Sequence, residues 1–403
     1  MEWVIAILAL ALLQTANPVH EGMKALDGQN YEAAAAAFEQ AIAADPGNYG
    51  AHFNLAFAKS MLGKPEEAIA GYRKTLELKP GLYQAQINLG ILLLEEERAA
   101  DAIPVLRAAQ EQKPAEFNPN YYLAEALYVT DALTEAESFY RKAEEIDAQS
   151  PPVQVGLART LAKQNRLDEA AVHYRNAAAN PDYENALLEL ASLYEQVSEN
   201  RKAIEIYERF LDNEVVRERL GNLLLQEGDA EAAIGHLEAV IAVSPTAANR
   251  YALATAYMRA GRAGQAIPVL KLALAEEPKS FAMRLTYGRL LRDQRQFAPA
   301  AQQFLEAVKL QPDSQDAWNE LAGMLILIED YPAALAALDR VEALGSAPPS
   351  VHFFRALVLD RMRQYEPALV SYQRFLDLNN GVYPDEEFKA RQRIKVIEKE
   401  LRR

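Results

Sequence analysis

The chain has 403 residues, half of them hydrophobic, with a net charge of -15 and a pI near 5.0. So acidic a surface argues against nonspecific binding to nucleic-acid phosphates. The absence of Cys removes disulfides, thiolate metal sites and thiol nucleophiles, without fixing the compartment. Abundant Ala and Leu, with little β-branched or aromatic clustering, predict an all-α chain, long enough for two or three domains or one repeat array.

Residues 1–16 differ from everything after them. Val4 to Leu13 is an uncharged apolar run of signal-peptide length, short of the ~20 residues that a membrane-spanning helix needs. Glu2 stands where a basic residue is expected, and Gln14 is large for its place before a cleavage after Ala16. Asn17-Pro18 reads as a helix N-cap followed by Pro at the first helical position, so a folded unit is expected to begin where the run ends. Three readings stay open. The run is a cleaved signal on a chain exported to the periplasm or envelope, an uncleaved anchor, or an apolar cap packed on the first repeat of a cytoplasmic protein. No Cys follows it, which excludes a lipidated N-terminus.

From Tyr49 to Leu82 two helical patterns are broken near Gly63-Lys64-Pro65 and closed by Pro80-Gly81. A hairpin of this size cannot enclose an apolar core alone and needs neighbours of its own kind. The chain supplies them. An Ala of the second helix recurs as Ala34, Ala68, Ala102, Ala136, Ala170, Ala203, Ala233, Ala266, Ala300, Ala334 and Ala368, at spacings of 34 residues except for 33, 30 and 33 in the middle. Twelve residues before each stands a small residue: Gly22, Ala56, Gly90, Ala124, Ala158, Ala191, Gly221, Ala254, Gly288, Ala322 and Ala356. Four residues after each stands a large apolar one: Phe38, Tyr72, Leu106, Tyr140, Tyr174, Tyr207, Leu237, Leu270, Phe304, Leu338 and Tyr372. Small residues at both places let the two helices approach closely, and the large one fills the space between one hairpin and the next. Pro46, Pro80, Pro114, Pro245, Pro278 and Pro312 close their units, whereas Pro65, Pro104, Pro268, Pro299, Pro332 and Pro367 are expected near the first turn of second helices.

These residues resemble the tetratricopeptide repeat, over residues 15 to 382. The resemblance implies a right-handed superhelical α-solenoid of about eleven helical hairpins, assigned to residues 17–382. Some units depart from the pattern: Trp318 alone supplies the usual aromatic near the start of a first helix, and Ala148, Asp182, Ser346 and Asn380 replace the closing Pro. The unit from Glu184 to Asn213 is four residues short, so either superhelical pitch changes within residues 148 to 214 or loop length simply varies there at no cost to stacking. Residues 383–403 read as a capping helix with an apolar stripe of Phe388, Ile394, Ile397 and Leu401.

Nothing in the chain assembles a catalytic or cofactor site. The five histidines are scattered without helical metal-site spacing, and no phosphate-cradling loop or nucleophile elbow is present. No metal or cofactor is expected. In tetratricopeptide arrays the second, fifth, ninth, twelfth and thirteenth places of each unit look into the inner groove. Here they include Phe53, Phe57, Met61, Ile87, Ile91, Leu94, Tyr121, Tyr128 and Val129, then a more basic stretch with Arg159, Lys163, Arg259, Arg289 and Arg292. Aromatic anchors beside Arg are the composition of a protein-binding surface; the alternatives are that the apolar side chains pack between neighbouring first helices and that the basic ones form a solvated face with local Glu partners. Asn54 and Asn88, at equivalent places, are similar to the asparagines with which related arrays hold a peptide backbone, but the match stops after two. The basic set that clamps a terminal carboxylate in chaperone-binding members is not reproduced.

The reading expected to hold is a non-enzymatic scaffold that takes an extended or helical segment of a partner protein. The partner's apolar side chains would lie near Phe53, Phe57 and Tyr121, and its acidic ones toward Arg289 and Arg292. By analogy with exported relatives, it would act in envelope assembly or secretion. Two alternatives stand beside it: an enzyme or small-molecule receptor with a pocket near the short sixth unit, and a self-assembling architectural subunit.

Overall fold

The computed structural model describes residues 17–345 and 347–402, so the apolar run 1–16 and the question of its cleavage lie outside it. The described residues form 23 α-helices, one short 3-10 turn and no strand. The chain divides between Glu199 and Asn200, inside the short repeat, into two compact units.

In the first unit five antiparallel pairs follow one another: Pro18–Asp27 with Tyr31–Ala44, Tyr49–Met61 with Pro65–Leu78, Tyr83–Glu95 with Ala99–Gln112, Phe117–Val129 with Leu133–Ile146, and Pro151–Lys163 with Leu167–Ala177. A 3-10 turn, Pro181–Tyr183, then leads to Ala186–Gln196. The second unit opens with Asn200–Tyr207, which at eight residues is much shorter than its counterparts and accounts for the length missing from that repeat. Five pairs follow: Glu214–Glu227 with Ala230–Val243, Ala247–Arg259 with Ala263–Glu276, Phe281–Asp293 with Phe297–Leu310, Gln315–Leu327 with Tyr331–Ala343, and Pro349–Arg361 with Tyr365–Asn379. Pro384–Leu401 packs on the last of them. The fold is an α-solenoid.

The hairpins are alike because each is turned by the same conformation. Left-handed residues recur at Gln29, Gly63, Glu97, Asp131, Asn165, Ser198, Gly228, Gly261, Arg295, Glu329 and Arg363, in step with the Ala series. Only three of these are Gly, so elsewhere the turn is imposed by the packing of the flanking helices against a local preference of about 1 kcal/mol. First helices are capped where the sequence allows it. Asn17 Oδ1 accepts from the Val19 amide at 3.1 Å, as its place before Pro18 predicts, and Asn48 Oδ1 accepts from the Ala51 amide at 3.0 Å.

The three recurring series make the core. Every Ala of the second-helix series is fully buried, and the small residues opposite and the large ones beyond are buried too. Their geometry is specific: a Cβ placed on Gly90 would lie 2.3 Å from Leu106 Cδ2, and one on Gly288 would lie 2.5 Å from the Phe304 ring. The large residue thus covers the small residue of its own hairpin. It also reaches the next, since a Cβ on Gly156 would lie 2.4 Å from the ring of Tyr140 in the preceding pair.

Two expectations need correction. Pro104 and Pro268 lie in the interior of Ala99–Gln112 and Ala263–Glu276, because these helices begin five residues before the Pro. Both prolines, and the Ala100 and Gly264 whose carbonyls lose a donor, are exposed, so water satisfies what the ring removes. In the capping helix, Ala390 and Ile397 are buried and Ile394 packs on the core, but Phe388 and Leu401, both expected in the stripe, are 66% and 42% exposed.

Candidate partner-binding surface

In the first unit the expected groove residues lie half-buried rather than free. Phe53, Phe57, Ile91, Leu94, Tyr121 and Tyr128 each rest one side on the core, while Ile87 is part of the core itself. Phe53 meets Tyr72 edge-on at 5.7 Å, and Tyr121 stacks on Phe117 at 5.6 Å. Met61 and Val129, at the C-terminal ends of their helices, stand out at 49% and 59% exposure. The two asparagines differ. Asn88 Nδ2 donates to the Tyr72 hydroxyl at 3.2 Å, whereas half-buried Asn54 reaches only Met23 Sδ, at 3.5 Å.

The row ends in a cleft of about 360 Å³, between the pairs that begin at Phe117 and Pro151 and the turn at Asp182-Tyr183. Tyr121, Glu125, Arg159 and Glu189 converge there. Glu125 was not singled out from the sequence, although it occupies the ninth place of its unit, the same place as Arg159 in the next. Its carboxylate accepts from the Tyr140 hydroxyl at 2.5 Å and from Tyr121, yet burial pushes its pKa up because these neutral donors replace water only in part. Arg159 grips Glu189 through two contacts, at 2.8 and 2.5 Å, and holds that carboxyl below the usual range.

The position of Glu125 has a measurable consequence. A carboxyl whose folded pKa is raised binds its proton more tightly in the fold than in the unfolded chain, so its contribution is fully present below about 4.5 and is lost as pH rises through the folded pKa. Glu125→Gln keeps an acceptor for Tyr140 and removes this loss. Urea unfolding should therefore show the variant gaining on wild type as pH rises above about 4.5.

The basic residues are compensated. Lys163 pairs with Asp131 at 3.2 Å and lies 4.5 Å above the Tyr128 ring, so it joins the aromatic row to the preceding turn. In the second unit Arg289 and Arg292 share Glu320, at 2.8 and 2.6 Å, and Arg289 also reaches Asp316 at 2.5 Å. Arg259 donates to the Leu225 carbonyl. Each cation expected to meet a partner is thus satisfied by a group from a neighbouring repeat. Among the described residues no cluster of His, Asp and Glu is arranged to hold a metal ion, and no helix is long and apolar enough to cross a membrane.

Profiles of the tetratricopeptide repeat match residues 25–90, 87–151, 186–214, 224–284 and 285–351, together well over half of the chain. Among solved structures, MamA 41-end from Desulfovibrio magneticus RS-1 is similar at 20% identity over 40% of this chain and 92% of that one, with a TM-score of 0.39. MamA AMB-1 is similar at 21% identity, over 40% of this chain and 95% of that one, with a TM-score of 0.38. No curated protein matches the chain. With the repeat spacing, the shared turn and the matched profiles in agreement, the chain belongs to the tetratricopeptide repeat family and is a protein–protein interaction scaffold.

Proposed function

We propose that the scaffold is non-enzymatic and holds an extended or helical segment of a partner protein along the first unit. The row from Phe53 and Phe57 through Ile91 to Tyr121 and Tyr128 receives the partner's apolar side chains. The carrying observation is that this row is anchored on the core from one side and keeps its other side in solvent. Such residues are already ordered, so a partner gains apolar contact without the cost of immobilising them. Arg159, Lys163, Arg289 and Arg292 contribute to partner choice more than to affinity, because an acidic partner must displace Glu189, Asp131 or Glu320 to reach them. Export, and a place in envelope assembly or secretion, are proposed from the apolar run 1–16 alone. N-terminal sequencing of the protein from its host tests that step.

The groove is best tested at its exposed ends. Met61→Asp with Val129→Asp removes apolar contact without touching the core and should reduce capture of the partner about tenfold, while the melting temperature stays within a degree or two of wild type. An unchanged set of captured proteins, quantified by mass spectrometry, would remove the row from consideration. Phe57→Ala and Tyr121→Ala are less suitable, since both side chains pack on the core and would cost stability as well.

A second reading, a small-ligand receptor at the cleft beside the short repeat, is favoured by the convergence of Glu125, Arg159 and Glu189. It requires a ligand whose binding is altered by Glu125→Gln and left intact by the Met61 and Val129 changes.

A further inference from the structure

We infer that the groove between Pro349–Arg361 and the capping helix Pro384–Leu401 is a separate docking site, for an acidic partner segment that carries an apolar anchor. The groove has a volume of about 610 Å³ and lies wholly within the second unit. Its apolar wall is Phe353, Leu357, Phe388 and Val396. A capping helix exists to bury the apolar end of an array, yet this one leaves Phe388 66% and Val396 44% exposed, both facing the groove instead of the core.

Charge decides what can cover this face. Of the four charged residues in the groove, Asp360 is buried and consumed by Arg393, whose Nη2 donates to it at 2.8 Å. That leaves Arg361 and Lys389, which make no ion pair or hydrogen bond among the described residues. They differ in this from Arg289 and Arg292, which are closed by Glu320. Two open cations beside an exposed Phe, on a chain of net charge -15, form a local field opposite to that of the molecule. Such a face attracts acidic segments, repels basic ones and gives neutral ones no electrostatic help, and its on-rate for the acidic segment falls with salt. A helix or strand with an aromatic or large aliphatic side chain and carboxylates to either side satisfies both halves.

The test uses the full chain and a displayed library of short random peptides, selected on wild type and counter-selected on Arg361→Glu/Lys389→Glu. The recovered sequences should be net acidic and contain a large apolar residue. A synthetic peptide made from them should lose about tenfold or more in affinity to Phe388→Ser and to Arg361→Glu/Lys389→Glu, and should bind more weakly as salt rises. Binding should persist in the Met61→Asp/Val129→Asp protein, which separates this site from the row in the first unit. All three altered groove side chains are outside the core, and unchanged circular dichroism and melting establish that folding is intact. Failure to recover peptides, recovery of neutral or basic ones, or affinity indifferent to both variants overturns the proposal. Two further outcomes overturn it by naming another occupant. One is sedimentation with phosphatidylcholine vesicles containing phosphatidylglycerol that is lost in Arg361→Glu/Lys389→Glu. The other is a dimer that the same variant converts to monomer.

Discussion

Replacing Tyr140 with Ala is expected to destabilise the first unit by about 3–5 kcal/mol, among the largest effects available to a single side chain in this fold. Tyr140 is fully buried, it is the large residue of its repeat, and its ring lies against Gly156 in the next hairpin, where not even a methyl group would fit. It also approaches the Tyr121 ring, with centroids 6.3 Å apart, and its hydroxyl donates to Glu125. Truncation therefore opens a cavity between two hairpins and strips a largely buried carboxylate of a donor. The two costs separate experimentally. Tyr140→Phe keeps the ring and loses only the hydrogen bond, for about 1–3 kcal/mol, and the loss should shrink when Glu125 is already Gln. Because repeat arrays unfold in segments, the measurement is hydrogen exchange of the amides in Phe117–Val129 and Pro151–Lys163, not a global midpoint. Equal protection in Tyr140→Ala and wild type would mean that adjacent hairpins are not coupled through this residue.

The sequence was most informative where a residue's environment is set by its own hairpin. The second-helix Ala, the small residue twelve places earlier and the large one four places later are all buried, because contacts within a hairpin recur with the period of the chain. The N-cap at Asn17 was legible for the same reason. What escaped were interactions between hairpins. Arg159 meets Glu189, Lys163 meets Asp131 and Arg289 meets Glu320, pairs separated by roughly one repeat whose closure depends on how successive first helices sit side by side. That these cations have local carboxylate partners is one reading of the sequence, but a list of groove places cannot show which carboxylate closes each across the interface, nor that Arg259 meets the Leu225 carbonyl instead. Glu125 escaped because a carboxylate among aromatics interrupts the apolar pattern by which the row was recognised. One of its donors, Tyr121, stands a turn earlier on the same helix, but Tyr140 becomes a neighbour only when the hairpin closes. Phe388 was misassigned for the converse reason. Helical spacing places it near the stripe of Ile394 and Ile397, and only the seating of the capping helix turns it toward the groove.

Gly90→Ala is expected to cost about 2 kcal/mol, even though Ala is the better helix former by about 1 kcal/mol. The new Cβ would lie 2.3 Å from Leu106 Cδ2 and 2.4 Å from Cγ, and Leu106 is fully buried, so the branch point of the side chain has to move, not only a flexible end. Gly323→Ala provides the control. It is also within a helix, but its Cβ would meet nothing within 4 Å, and the change should stabilise by up to about 1 kcal/mol. Leu106→Val in the Gly90→Ala background should recover part of the loss, giving a favourable coupling of about 1 kcal/mol in a double-mutant cycle. The outcome bears on how rigid the repeats are. Elsewhere the same two places are filled by Ala254 with Leu270 and by Ala322 with Leu338, so a hairpin of this family accommodates the pair at a slightly different helix separation. If Gly90→Ala proves neutral in urea unfolding, the hairpin holding Gly90 can shift to that separation at no cost, and close approach is a preference of each hairpin. A loss of the expected size means that its neighbours on both sides fix the spacing, so that the stack holds each repeat in its own geometry.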